Sequence, residues 1–305
     1  MNAEAGKNTE ENFILDFHGH RLNLSERPAV MSVLNLTPDS FYDGGKFHHD
    51  ARLDIDKAIE AAEAMVKEGA SIIDVGGESS RPQATPVSIE EEISRTVPVI
   101  ERLVKKIDVP VSIDTYKAEV AKAALKAGAA MVNDISGFRA DKALPAVCER
   151  YDVPVVLMHL RQMPGAMAWS TNDKNVYADL VEEIKAALRH AIAVAASHNL
   201  RQVIIDVGFG FGKSVAGNYE LLRRLRSFHT LGKPVLAGLS RKSFIGRAIA
   251  PDGEPLPDAA ERLFGTVAAN TIALMNGAHI LRVHDTKAAA DAVRIFQATM
   301  ATVPH

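Results

Sequence analysis

Eight times along the chain a short, mostly apolar run ends at a polar residue. Ala29–Leu34 stops at Asn35, Ile72–Ile73 at Asp74, Val109–Ile113 at Asp114 and Met131–Val132 at Asn133. Val153–Met158 stops at His159, Val203–Ile205 at Asp206, Val235–Leu239 at Ser240-Arg241-Lys242, and Ile280–Leu281 at Arg282. A strand buried on both faces reads this way. A stretch with helical spacing separates each run from the next. Eight strand–helix units in succession predict an α/β fold, a closed (β/α)8 TIM barrel, with its chemistry at the C-terminal strand ends. The polar stops then form one ring on one face.

The pattern predicts strands over 29–34, 71–75, 110–113, 130–133, 153–158, 202–206, 234–239 and 278–283. It predicts helices over 51–68, 88–106, 116–127, 141–151, 174–198, 217–228, 257–276 and 286–300. Gly69 and Gly128 stand where helices end, and Ser88-x-x-Glu91 reads as a capping box. Ahead of the first strand, Phe13, Leu15 and Phe17 alternate, and Leu22 and Leu24 follow across His18-Gly19-His20. This predicts an N-terminal β-hairpin with a glycine turn, placed to cap the barrel bottom. Residues 1–12 are polar and expected to be disordered. Connections after strands one, two, five and seven are long, whereas the returns to the next strand are short, as in a barrel with a functional top. The rival fold, a doubly wound open sheet, needs a phosphate-binding turn after its first strand. Here Asn35-Leu36-Thr37-Pro38-Asp39-Ser40 follows, with glycine only at 44 and 45.

The 305 residues are 47% hydrophobic and 24% charged, with formal net charge −3. No Ser/Gly tract, proline run or charge block marks a linker, so 13–305 reads as one domain. The mild acidity argues against a nucleic-acid partner, which calls for a phosphate-neutralising surface. The single cysteine, Cys148, excludes an internal disulfide and reads as a buried structural thiol. The N-terminus lacks an apolar secretory core, and no run reaches the roughly 20 apolar residues of a membrane span. A cytoplasmic location without membrane partners is the expectation.

Several constellations carry candidate chemistry. Gly208-Phe209-Gly210-Phe211-Gly212-Lys213-Ser214 imitates a phosphate loop but has three residues, not four, between Gly208 and the Gly-Lys pair. Its glycines instead suit close approach of the backbone to a flat ligand beside Asp206. Asp114, Asn133 and Asp206 should point into the mouth, where carboxylates are costly unless paired by a ligand or a cation. Ser240-Arg241-Lys242-Ser243 and Arg282-Val283-His284 put cations and an imidazole at the last two strand ends, a region that often holds phosphate. A structural ion pair is the competing reading for Arg241 and for Glu78. His159 reads as a packed core histidine. No His or Cys spacing suits a permanent transition-metal site, whereas phosphate-linked Mg²⁺ needs only one or two protein oxygens.

Leu34-Asn35-Leu36-Thr37-Pro38-Asp39-Ser40-Phe41 with Gly44-Gly45 resembles the first signature of the dihydropteroate synthases. Ile73-Asp74-Val75-Gly76-Gly77-Glu78-Ser79-Ser80-Arg81-Pro82 resembles the second. Ile113-Asp114-Thr115, Asn133-Asp134-Ile135, Asp206 through Lys213, Gly238 through Ser243 and Arg282-Val283-His284-Asp285 follow in the family's order, over about residues 13–300. The resemblance implies condensation of 6-hydroxymethyl-7,8-dihydropterin diphosphate with 4-aminobenzoate, releasing pyrophosphate, on a Mg²⁺-dependent homodimeric barrel of the kind sulfonamides target. It implies Asp114, Asn133, Met158, Asp206 and Lys242 as the pterin pocket, and Asn35 as the Mg²⁺ ligand beside the diphosphate. Ser80, Arg282 and His284 would hold the diphosphate. Thr37, Pro38, Phe41, Arg81, Pro82, Phe211 and Ser243 would form the aminobenzoate side. Catalysis would fall to Asp114, Lys242, Arg282 and His284. Departures from the family are Val207 for a common proline, Ser80 for threonine and Gln162 for glycine. A methyltetrahydrofolate–corrinoid methyltransferase would share the pterin pocket but has no use for the cations of the last two strand ends. A non-catalytic pterin-binding protein is the other alternative, and the intact cation set argues against it.

Overall fold

The computed structural model describes residues 12–37, 48–49, 52–79, 85–162 and 177–301. A hairpin of β1 (Ile14–Asp16) and β2 (Arg21–Asn23) comes first, turning through His18 and Gly19, both at positive φ. β3 (Ala29–Asn35) opens the barrel. A two-residue ladder, β4 (His48–His49) with β5 (Arg52–Leu53), lies between β3 and the next barrel strand. The barrel continues through β6 (Ile72–Gly76), β7 (Val111–Asp114), β8 (Met131–Asp134), β9 (Val155–Met158), β10 (Val203–Asp206), β11 (Val235–Ala237) and β12 (Ile280–Val283). These eight strands are parallel and close with β12 on β3.

The outer helices are α1 (Ile55–Glu68), α2 (Ile89–Leu103), α3 (Ala118–Lys126), α4 (Leu144–Tyr151), α5 (Leu180–Ser197), α6 (Val215–Arg223), α7 (Ser243–Ile249), α8 (Leu263–Met275) and α9 (Thr286–Met300). Local chemistry fixes many of their ends. Asp54 caps α1 by accepting from the Lys57 N–H at 3.1 Å, which sets the start at 55, not 51. Gly69, at φ 112°, ends it by returning its N–H to Met65 and Val66 carbonyls. Ser88 accepts from the Glu91 N–H at 3.1 Å, while the Glu91 carboxylate turns to Arg95. Asp179 caps α5, which therefore starts six residues later than its apolar periodicity suggests. α7 falls within the long connection after the seventh barrel strand and shows no sequence period, because its seven residues bury only Phe244, Ile245 and Gly246 and carry no side-chain cap.

Most of the core packs between strands and helices. A third cluster lies inside the barrel, where Met31, Ile72, Met131, Val156, Ile204, Leu236 and Ile280 meet Leu15, Phe17 and Leu24 of the hairpin segment. The hairpin thus caps the bottom. Gln202 ties it there, accepting from the Asp16 N–H at 2.6 Å. No helix among the described residues is long and apolar enough to cross a membrane.

Candidate active site

Side chains two residues apart on a strand share a face. Two steps above the apolar interior layer therefore lies a second inward layer. Ile72 leads to Asp74, Met131 to Asn133, Val156 to Met158, Ile204 to Asp206, Leu236 to Gly238 and Ile280 to Arg282. On β7 the same step runs from the buried Ser112 to Asp114. The barrel interior changes from oil to charge within one residue pair. Asp114 lies beside Asn133 in register, and Gly76 beside Asp114.

Arg282 organises one side of this layer. Its Nε donates to Asp74 Oδ2 at 2.7 Å and its Nη2 to Asp114 Oδ2 at 2.5 Å. Asn133 Nδ2 donates to the same Asp74 oxygen at 3.0 Å. Burial pushes the Asp114 carboxyl up to about 7, with Arg282 opposing and Asp74 assisting. Arg282 itself is held above its ordinary value, because Asp74 and Asp114 outweigh its desolvation.

Across the mouth, Asp206 accepts the Gly208 N–H at 2.7 Å, and burial raises its pKa against the pull of Lys242. Lys242 donates to the Phe209 carbonyl and sits 4.3 Å over the Phe211 ring. Burial lowers Lys242 to about 7, opposed by Asp206. A side chain added at Gly238 would stand 3.8 Å from Asp206 Oδ2, 3.9 Å from Lys242 Nζ and 4.0 Å from Arg282 Cβ. Gly238 is thus the open floor between an acid and two bases. Met158 packs with Ile135, Leu160, Tyr116 and Phe211, giving the cavity an apolar wall.

His284 contacts Ser240 Oγ through Nδ1 at 3.1 Å, and burial lowers it to about 4, with Arg282 the next cause. The imidazole is therefore neutral at pH 7. Arg241 is structural: its guanidinium grips Asp285 at 2.7 and 2.5 Å and the Ala259 carbonyl at 2.7 Å. Lys213 is structural as well, donating to the Gly208 and Phe211 carbonyls at 2.8 and 3.0 Å. Its neighbour Gly208 must be glycine: φ is 71°, and a Cβ would lie 2.1 Å from the His159 carbonyl. Glu78 is locally paired, accepting from Tyr116 Oη at 2.6 Å and from Lys117. His159 is buried behind the inward layer with its pKa driven down to about 2, first by burial and then by Lys213. Burial also pushes the Cys148 thiol up to about 12.

Asn35 ends β3 beside Gly76, its Oδ1 3.4 Å from where a Cβ at 76 would sit. Thr37 is buried just beyond it, and Ser243 opens α7 next to Lys242. The expected residues Pro38, Phe41, Ser80, Arg81 and Pro82 lie outside the described residues. Of the family departures, Val207 is buried and Gln162 is exposed. Sequence reasoning gave no role to Asp74, the anchor of Arg282 and Asn133, or to Gly238. Carrying the two-residue parity up from Ile72 and Leu236 would have placed both in the layer.

A family profile described as pterin binding enzyme matches residues 31–284. The dihydropteroate synthase of Clostridium beijerinckii is 46% identical over 264 residues, covering 86% of this chain and 91% of its own. The chain belongs to the dihydropteroate synthase family. Solved members superpose on it. The Xanthomonas albilineans dihydropteroate synthase with 4-aminobenzoic acid has TM-score 0.83 and 41% identity, covering 96% of this chain and all of that one. The Yersinia pestis dihydropteroate synthase in a sulfonamide drug complex has TM-score 0.85 and 38% identity, covering 94% and 98%. The family's motif order therefore coincides with the inward layer of this barrel.

Proposed function

We propose that the chain condenses 6-hydroxymethyl-7,8-dihydropterin diphosphate with 4-aminobenzoate to give 7,8-dihydropteroate and pyrophosphate. The observation that carries this reading is the layer itself: acid and amide groups around an open floor at Gly238, with Lys242 and Arg282 bordering it.

A reduced pterin offers an amide-like N–H beside an amino group. Asp206 can accept both in parallel, and Lys242 can donate to the ring carbonyl. Met158 gives the ring an apolar surface. Loss of pyrophosphate builds negative charge on oxygen, where Arg282 and the neutral His284 can donate hydrogen bonds that strengthen as the bond breaks. The ring fragment left behind is cationic, and the Asp114 carboxylate beside it stabilises that charge. The arylamine is already a free nucleophile at neutral pH, so no general base is required. Thr37, Pro38, Phe41, Arg81, Pro82, Phe211 and Ser243 are the candidates for the 4-aminobenzoate side by family resemblance, and Ser80 for the diphosphate.

Asn35 fits Mg²⁺: its amide oxygen has no hydrogen-bond partner among the described residues, and Mg²⁺ is commonly held by one or two protein oxygens plus substrate phosphate. Bound there with the diphosphate, the ion would supply charge neutralisation to the leaving group. A homodimer is also proposed. Phe264, 85% exposed, shares one face of α8 with the exposed Ile272 and Met275, and Ile249 lies beside Gly265. An apolar strip of this kind suits a second copy of the chain, and sedimentation at micromolar concentration tests it.

The deciding experiment is incubation with the pterin diphosphate, Mg²⁺ and 4-aminobenzoate, following pyrophosphate and identifying the pterin product by mass. Pyrophosphate release without a dihydropteroate mass, or neither, removes the reading.

A further inference from the structure

We propose that Asp74 fixes the orientation of the Asn133 amide and so makes Asn133 a hydrogen-bond acceptor toward the bound ring. The inference rests on the pterin reading of the same mouth and names a positioning residue within it.

Asp74 is fully buried, and its Oδ2 accepts from both Arg282 Nε at 2.7 Å and Asn133 Nδ2 at 3.0 Å. A carboxylate held by a guanidinium accepts hydrogen bonds and donates none. Turning the Asn133 amide over would set its oxygen against Asp74 Oδ2 at the distance the nitrogen now occupies. Two acceptors would then face each other at about 3.0 Å, too close for a water to bridge them, so only one orientation is stable. The amide oxygen is left on the side away from Asp74. Asn133 is 3% exposed, and no described residue donates to that oxygen. A ring that covers this oxygen and shuts solvent out leaves it costly unless the ring itself brings a donor. The edge of a pterin supplies that donor as an amino or ring N–H.

The layer then has a fixed polarity. Asp206 and Asn133 Oδ1 accept, while Lys242 and Arg282 donate. A bicycle carrying a carbonyl where the pterin carries N–H would meet Asn133 acceptor to acceptor. Specificity would arise from a contact that Asp74 sets without touching the ligand.

Substitution at the two positions tests this. Binding of 6-hydroxymethylpterin, which lacks the diphosphate, is measured by calorimetry, with the melting temperature of each variant recorded. Both donors use one oxygen of Asp74, so Asp74→Asn can keep an amide oxygen there and should bind within about threefold of wild type. Asp74→Ala removes the acceptor that orients the amide and is expected to lose about tenfold or more in affinity. A folded Asp74→Ala variant that binds as wild type overturns the proposal. Should that variant not fold, Asn133→Ser against Asn133→Ala decides. Serine can give its one proton to Asp74 and keep lone pairs for the ring, so it should bind more tightly than alanine, and equal losses overturn the proposal. Absence of binding by the wild-type chain would instead sink the pterin reading itself, and this inference with it.

Discussion

Arg282 donates Nη2 to Asp114 Oδ2 at 2.5 Å, joining side chains 168 positions apart on the last and the third strands of the barrel. A group proposed to hold diphosphate is thus also the counter-ion of a buried carboxylate, and of Asp74 as well. Arg282→Ala leaves two buried acids uncompensated, which costs about 3–5 kcal/mol of stability. Chemical denaturation should register that loss. Arg282→Lys, which keeps a charge but not the fork, is expected to recover much of the stability while turnover stays at least about tenfold down. Full turnover in Arg282→Lys would show that one point charge suffices.

Lys242 gives a pH-dependent stability. Its folded pKa is about 7 against an ordinary 10.5, so the protonated amine is disfavoured in the fold. That cost is complete below pH 7, declines as pH rises, and vanishes near 10.5. Lys242→Met keeps the stem that packs on Gly210 and removes the charge. Thermal melts should show it more stable than wild type at pH 7, by on the order of a few degrees, with the gap closing toward pH 10. Activity should be lost at every pH. A gap that widens with pH would contradict the sign.

Gly238 fills no space, and that is its contribution. Alanine there meets Asp206, Lys242 and Arg282 at ordinary contact distances of 3.8–4.0 Å, so the fold should tolerate it within about 1 kcal/mol. The methyl occupies the floor that the ring would use. Calorimetry with 6-hydroxymethylpterin should show about tenfold or greater weakening for Gly238→Ala and more for Gly238→Val. Unchanged affinity would move the ring elsewhere in the mouth.

Asp206 should be indispensable for the ring's paired donors. Asp206→Ala is expected to abolish measurable pterin binding, a loss of at least about a hundredfold, with near-native circular dichroism. Retained affinity would refute the pocket assignment.

Much of this was legible in the residues, because a parallel barrel writes its strands as short apolar runs and its mouth as the polar residue ending each run. Asn35, Asp114, Asp206 and Arg282 each end such a run. What the runs conceal is facing. His159 stops a run as Asp206 does, yet it lies one step out of phase, behind Met158, and is buried outside the pocket. Asp74 stops a run too, but its importance lies in Asn133, 59 positions on and two strands along the sheet, and in Arg282, 208 positions on and brought near only by closure of the ring. Arg241 and Lys242 look alike in sequence. The left-handed turn at Arg241, φ 55°, sends one guanidinium to Asp285 and leaves the next cation in the mouth. The short helix α7 is silent in the sequence because two buried apolar side chains are too few to show a period.

The hairpin beneath the strands has a kinetic corollary. With Leu15, Phe17 and Leu24 closing the lower end, the molecule is a cup with one rim. Two reactants and two products must use the same doorway, so a pyrophosphate slow to depart obstructs the arylamine behind it, and the order of traffic becomes part of the rate.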